Sequence, residues 1–318
     1  MTLATETNNR MKLGLVCISE VLKKQDKSLS FKTMTRKRFL ELGRDDALKE
    51  LSSRILHNCK LTKQIVLHCS SVGIAHYRIS SCLLPLVTDS TLGICYDDLP
   101  DMRRIEASLA EVGVAAKDCG ISISSHPDQF NVLTSYSQDV INRSIKELNH
   151  QAYVLDLIGL PQNYSAPMCL HLNLSPDFKR ETLSDYIDRF AVSLASCSQS
   201  VRNRLVLENE DGGYWNCANL FECFSHKIPL VFDNLHNDIN KSSWTAQECF
   251  DKLHSTWGSY APVFHWSEGT LEKPRSHAEY YSHIPECVKN NCDVIWECEV
   301  KAKELAILQI LKSQRNSS

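Results

Sequence analysis

A chain of 318 residues that is 43% hydrophobic and 23% charged has enough apolar side chain to bury a full core, which excludes a disordered tail or a mini-protein. Its 35 Lys and Arg nearly balance 38 Asp and Glu, for a formal net charge of −3, so an anionic partner has to be met by a local patch rather than by the overall field. Fourteen scattered cysteines with no Cys-x-x-Cys pair fit reduced thiols, no apolar run approaches the roughly 20 residues of a bilayer span, and the polar first ten residues are unlike a signal peptide. A soluble cytoplasmic protein with no membrane partner is expected, nucleoid-associated in a prokaryote.

In chain order, residues 1–11 read as a disordered extension, 12–311 as one domain and 312–318 as a frayed end. Short apolar runs at 12–17, 75–80, 121–124, 168–172, 205–208, 230–233, 262–265 and 293–296 are the eight expected strands. After the first, residues 23–38 carry seven basic side chains (Lys23, Lys24, Lys27, Lys32, Arg36, Lys37, Arg38) against one acid, Asp26, an anion-facing segment. Helical spacing follows over 101–117 (Ile105, Leu109, Val112, Ala116), 140–158 (Ile141, Ile145, Leu148, Ala152, Leu155) and 301–311 (Leu305, Leu308). Pro100 is expected in a first helical turn, with Asp97 and Asp98 capping. Eight alternations of strand and helix in this length predict an α/β protein, a single (β/α)₈ TIM barrel. No Gly-rich phosphate-binding motif follows a strand, so no nucleotide cofactor is expected.

Such a barrel keeps its chemistry at the carboxyl ends of its strands. Strand three runs into His126, strand four into His171, strand five into Glu208, strand six into Asp233 and His236, and strand seven into His265; His277 follows, and Glu297 and Glu299 close strand eight. Each alone is ordinary, a bonded histidine or a helix-capping acid. Converging on one opening, they form a costly polar cluster unless cations neutralise it. Imidazole and carboxylate without thiolate suit Mn²⁺ or Zn²⁺, and ions roughly 3.5–4 Å apart suit phosphodiester hydrolysis.

At these residues the sequence resembles the UV damage endonuclease family. The resemblance rests on His-Tyr-Arg-Ile-Ser-Ser at 76–81, Ser-His-Pro-Asp-Gln-Phe at 125–130, Leu-Glu-Asn-Glu-Asp at 207–211, Asp-Asn-Leu-His at 233–236 and Glu-Val-Lys-Ala-Lys-Glu at 299–304, in family order across nearly the whole chain. It implies an endonuclease IV-like barrel with two or three divalent ions per chain, Mn²⁺ favoured and Zn²⁺ or Mg²⁺ possible. The implied activity is nicking of double-stranded DNA immediately 5′ of cyclobutane dimers, 6-4 photoproducts and some other lesions, leaving a 3′-hydroxyl and a 5′-phosphate. The family's ligands fall on His126, His171, Glu208, Asp233, His236, His265, His277 and Glu299, with Glu297 the alternative to the last. Glu208, His171 and Lys179 are the expected catalytic residues, Lys179 by neutralising transition-state charge, with a solvated lysine the alternative. Gln129 and Phe130 match the pair inserted at the lesion, with core packing the alternative for Phe130. Arg78, Lys32, Arg36 and Lys37 are expected on phosphates, with an internal carboxylate the alternative partner for Arg78.

Two positions depart from the family. Val263 stands where members often carry a carboxylated, metal-bridging lysine, which leaves either an ion held differently, with Glu268 nearby, or a weaker third site. Leu15 replaces a frequent aromatic on strand one. The rival readings are a sugar isomerase-type two-metal barrel and a non-catalytic lesion-binding barrel, and a monomer is expected.

Overall fold

The core begins as parallel strands of nearly unbroken apolar sequence, the pattern of sheets covered on both faces. The computed structural model describes residues 11–316. Its strands are β1 (Lys12–Val16), β2 (His76–Arg78), β3 (Ser122–Ser124), β4 (Met168–Leu170), β5 (Leu205–Glu208), β6 (Leu230–Val231), β7 (Val263–Trp266) and β8 (Ile295–Cys298). All pairings between these strands are parallel. They form a five-stranded sheet in the order β3-β2-β1-β8-β7 and a three-stranded sheet in the order β4-β5-β6. Where the two sheets meet, single parallel bridges join Ser125 to Met168 and Asp233 to His265.

Helices fill the crossovers. The longest, Arg44–Val72, lies between β1 and β2; Met102–Cys119 and Gln138–Ile158 flank β3. Each of the three stops at a glycine in left-handed conformation, Gly73, Gly120 and Gly159, where a side chain would be strained. One apolar cluster extends from Met11 to Leu311 and includes Trp215, Trp257, Trp266 and Trp296. Among the described residues, no helix is long and apolar enough to cross a membrane.

Four local expectations are corrected. β8 starts two residues later than its apolar run, which places Glu297 inside the strand and Glu299 just beyond it. Pro100 precedes the N-cap Asp101 rather than entering the helix, and Asp98 closes the short turn Tyr96–Asp98 by accepting from the Cys95 amide at 2.8 Å. Met11, expected in the disordered extension, is buried beside β1; residues 1–10 lie outside the described residues. The last helix, Glu304–Asn316, continues past Lys312 because buried Ile307 and Leu311 anchor its inner face.

The helices Met102–Cys119 and Gln138–Ile158 approach so closely that a Cβ at Gly113 would stand 1.7 Å from the Ile158 carbonyl oxygen. Gly113→Ala is therefore expected to destabilise the protein by about 1–3 kcal/mol, the usual cost of overpacking, as read from urea unfolding. An unchanged midpoint would show that the two helices slide apart freely.

Candidate metal centre and DNA face

Side chains alternate along a strand, so the inward residues of β4, β5 and β7 and those just past β3 and β6 converge at the carboxyl ends of the sheet. Glu208, the last residue of β5, is 1% exposed and lies at the centre. Its Oε2 is 3.0 Å from His126 Nε2, 3.2 Å from His171 Nε2 and 3.3 Å from Cys169 Sγ. Its Oε1 is 3.1 Å from His236 Nδ1 and 3.0 Å from His265 Nδ1. One carboxylate thus faces four imidazoles and a thiol.

Asp233 performs two tasks. One oxygen caps the helix Asn234–Ile239 by accepting from the His236 amide at 2.8 Å, the ordinary role of such an acid, while the other turns inward, 4.0 Å from His265 Nδ1. Glu299 stands 3.9 Å from that nitrogen and 3.7 Å from His277 Nε2, and the Ser267 hydroxyl lies between the two acids, 3.0 Å from Asp233 Oδ2 and 3.2 Å from Glu299 Oε2. Three sets of ligand atoms lie mutually within 4.8 Å: His126, Cys169, Glu208 and His265; His171, Glu208 and His236; and Asp233, His265 and Glu299. Seven of the eight expected ligands fall into these sets; His277 lies beside the third through Glu299.

The electrostatics follow from crowding. Burial alone would raise the Glu208 carboxyl, but His171, His265, His126 and His236 hold it well below its usual range. Burial opposes protonation of His126 and His236, yet Cys169 and Glu208 push the first up to about 10, and Asp233 and Glu208 push the second up to about 11. His171 goes the other way, to about 4, because burial and three neighbouring imidazoles outweigh Glu208. Protons therefore occupy positions where lone pairs could hold cations. The donor set of imidazole, carboxylate and one thiol fits divalent ions.

Beneath this layer, Glu297 is committed elsewhere. Arg78 Nη1 is 2.9 Å from Glu297 Oε2 and 2.5 Å from Glu299 Oε1; His76 Nε2 is 3.0 Å from Glu297 Oε1, and Ser124 donates to the same oxygen. Gly14 of β1 pairs with His76 on one side and Glu297 on the other, and a Cβ there would come within 2.9 Å of the His76 ring, so only glycine lets that ring reach across. Arg78, expected on phosphate, is 8% exposed and serves the internal carboxylates instead. Glu297 Oε2 also lies 3.2 Å from His265 Nε2, while Glu299 is the glutamate that joins Asp233 and His265 in the third set.

The loop after β3 turns outward. Asp128 Oδ1 accepts from the Phe130 amide at 2.9 Å, presenting Gln129 and Phe130 to solvent, and Phe130 is 76% exposed rather than packed in the core. Arg36 and Arg143 line a groove of about 580 Å³ with this pair. Residues 23–38 are less bare than their sequence indicates, because Lys23, Arg36, Lys37 and Arg38 pair with Glu20, Asp89, Glu41 and Glu50. Lys24, Lys27 and Lys32 have no ion pair among the described residues, and the exposed pairs are weak enough to exchange for phosphate. Lys179 is exposed on the loop after β4 and has no ion pair among the described residues. Glu268 is occupied in its own loop, accepting from the Ser282 amide at 2.8 Å, and does not belong to the ligand sets. Val263 faces the core, 4% exposed.

Three residues escaped the sequence reading. Cys169 contradicts the expectation of a thiolate-free cluster; its place on β4, two residues before His171 just past the strand end, was the available signal. His76, at the floor, was visible only as part of a motif. Glu210 is pushed up to about 7 by burial, against the Asn173 amide that it accepts at 2.7 Å. No spacing marked it.

Comparison with known proteins supplies the family. A family model described as UV-endonuclease UvdE matches residues 11–317. The chain is 29% identical to the UV DNA damage endonuclease of Nostoc sp. strain PCC 7120 over 95% of its own length and 90% of that protein. It is 28% identical to the UV DNA damage endonuclease of Bacillus cereus strain Q1, over 88% of each chain. The crystal structure of SacUVDE superposes with a TM-score of 0.80 at 25% identity, covering 96% of this chain and 99% of that one. The E. coli 3-keto-D-glucoside 4-epimerase YcjR superposes with a TM-score of 0.54 at 10% identity over 96% of this chain and 100% of that one, a likeness of fold alone.

Removing the central carboxylate or one of its imidazoles should release cations. Glu208→Gln and His171→Ala are each expected to weaken Mn²⁺ or Zn²⁺ binding at least ~10²-fold in equilibrium dialysis, the upper end of effects seen when mere supporting residues are lost. Wild-type affinity in both variants would remove Glu208 from the centre.

Proposed function

Because the chain belongs to the UV damage endonuclease family, we propose that it nicks double-stranded DNA immediately 5′ of UV photoproducts, cyclobutane dimers and 6-4 photoproducts among them, and leaves a 3′-hydroxyl and a 5′-phosphate. The observation that carries this reading is Glu208, buried and ringed by four imidazoles, at the same end of the sheet as the exposed pair Gln129 and Phe130. Divalent ions held there, Mn²⁺ favoured and two or three per chain, supply a nucleophile at neutral pH and neutralise the leaving oxygen.

The chain's own residues do the rest. Phe130 enters the stack at the lesion, where an aromatic ring can fill an unstacked step, and the Gln129 amide bonds to the base edges left without partners. Arg36 and Arg143, beside them in the groove, hold backbone phosphates together with Lys32 and Lys37. His126 bonds to Glu208 Oε2, and His171, His236 and His265 stand within 3.2 Å of the same carboxylate, so the ligand atoms are placed before DNA arrives. His277, half-exposed beside Glu299, completes the outer rim of the third ligand set. Arg78 keeps Glu297 and Glu299 ionised from below and acts as a positioning residue.

The two bridges between sheets support closure of the eight strands into a single (β/α)₈ barrel, which sets one mouth for the whole cluster. We place the protein in the cytoplasm as a monomer, at the nucleoid if its source is a prokaryote.

The test is a UV-irradiated duplex incubated with protein and Mn²⁺, with and without chelator. The expected result is a nick immediately 5′ of the photoproduct that disappears with chelator; an intact strand in both arms contradicts the reading. His171→Ala is expected to abolish the nick while DNA affinity stays within a few-fold, since phosphate contacts dominate affinity. Replacing Gln129 and Phe130 by alanine should lower the preference for irradiated over intact duplex by about 10-fold or more, equivalent to the ~1–3 kcal/mol of one base–aromatic stack. Equal preference would remove the insertion role.

A further inference from the structure

Cys169 is the inward residue of β4 two positions before His171, 5% exposed, with its sulfur 3.3 Å from Glu208 Oε2. A buried cysteine alone would be a small core residue. Here it shares one set with His126, Glu208 and His265, whose ligand atoms lie within 4.8 Å of one another. A second observation points to an ion. His265 is 1% exposed and neither ring nitrogen makes an aligned hydrogen bond, although Nε2 stands 3.2 Å from Glu297 Oε2; Glu208 Oε1 is likewise buried without an aligned bond. His265 Nδ1 and Glu208 Oε1 are 3.0 Å apart, close enough to bond but misaligned for it. Lone pairs that approach so closely without meeting are arranged around a common third point, as ligands of one cation are.

We propose that Cys169 is a thiolate ligand to an ion that it shares with His126, Glu208 and His265, and that this position selects Zn²⁺ over Mn²⁺. The inference rests on the metal-centre reading and deepens it. Sulfur, imidazole and carboxylate together would supply a borderline-soft set of four ligands, whereas Mn²⁺ prefers oxygen and nitrogen. The other two sets, His171 with Glu208 and His236, and Asp233 with His265 and Glu299, hold no sulfur and suit Mn²⁺. On binding, the S–H proton passes to solvent and the sulfur electron pair forms the S–metal bond, with no change of oxidation state. The centre is thus of mixed metal preference, with one position set by a residue type that a nitrogen-and-oxygen ligand pattern does not include.

The test uses the full chain, stripped of metal and reloaded under reducing conditions with cobalt(II) alone. Visible absorption reports any bound cobalt, and a near-ultraviolet charge-transfer band reports cobalt bound to thiolate. Wild type is expected to show both. Cys169→Ser should keep the visible bands and lose the near-ultraviolet band, and its preference for Zn²⁺ over Mn²⁺ should fall about 10–100-fold; Cys217→Ser, a buried cysteine outside the sets, should keep both bands. Zinc-loaded wild type needs no variant: its X-ray absorption fine structure should contain a sulfur shell at ~2.3 Å. Bound cobalt or zinc with no sulfur signature in wild type overturns the thiolate inference and leaves the metal centre standing. A chain that retains neither ion overturns both.

Discussion

A carboxylate removed from water has to be compensated at close range, and Glu208 is compensated from both oxygens at once. Four imidazoles and a thiol reach it from β4 and from the ends of β3, β6 and β7, all within 3.3 Å. The effective cost of burying an unpaired ion is several kcal/mol, so Glu208, Asp233 and Glu299 could not stand together at the end of the sheet without a matching cationic charge. In the absence of ions, protons on His126 and His236 meet part of that demand. Divalent cations meet it better, because each satisfies several ligands in one step.

The rest of the fold positions this cluster. A lower tier of Arg78, Glu297, His76 and Ser124 fixes the floor through mutual bonds, and the absence of a side chain at Gly14 opens the space for it. Above it, the loop after β3 carries His126 inward and Phe130 outward within five residues, coupling the ligand cluster to the surface that would meet DNA. Likeness to sugar epimerases extends to the fold only, and the groove beside Phe130 is lined by Arg36 and Arg143 together with Asp89, Asp128 and Glu147.

Much of this was legible in the sequence because strand-end position and ligand chemistry are both local. His126, His171, Glu208, Asp233, His236 and His265 announced themselves at the ends of apolar runs, and the structure gathers all six. What depended on distant partners was not legible. The basic segment at 23–38 looked bare because Glu41, Glu50 and Asp89, which neutralise part of it, lie outside it. Arg78 looked like a phosphate contact because its partners are more than 200 residues away, and β8 began two residues later than its hydrophobic run because Ile295 pairs with both Lys12 and Val263. In the sequence Cys169 is one of fourteen scattered thiols, since a thiol declares itself a ligand only by its neighbours.

The most direct measurement is anomalous diffraction from crystals of the protein grown with Mn²⁺. The account predicts two or three anomalous peaks clustered around the Glu208 carboxylate, within coordination distance of His126, His171, His236, His265, Asp233 and Glu299. Peaks scattered over the surface, with none at Glu208, would contradict it.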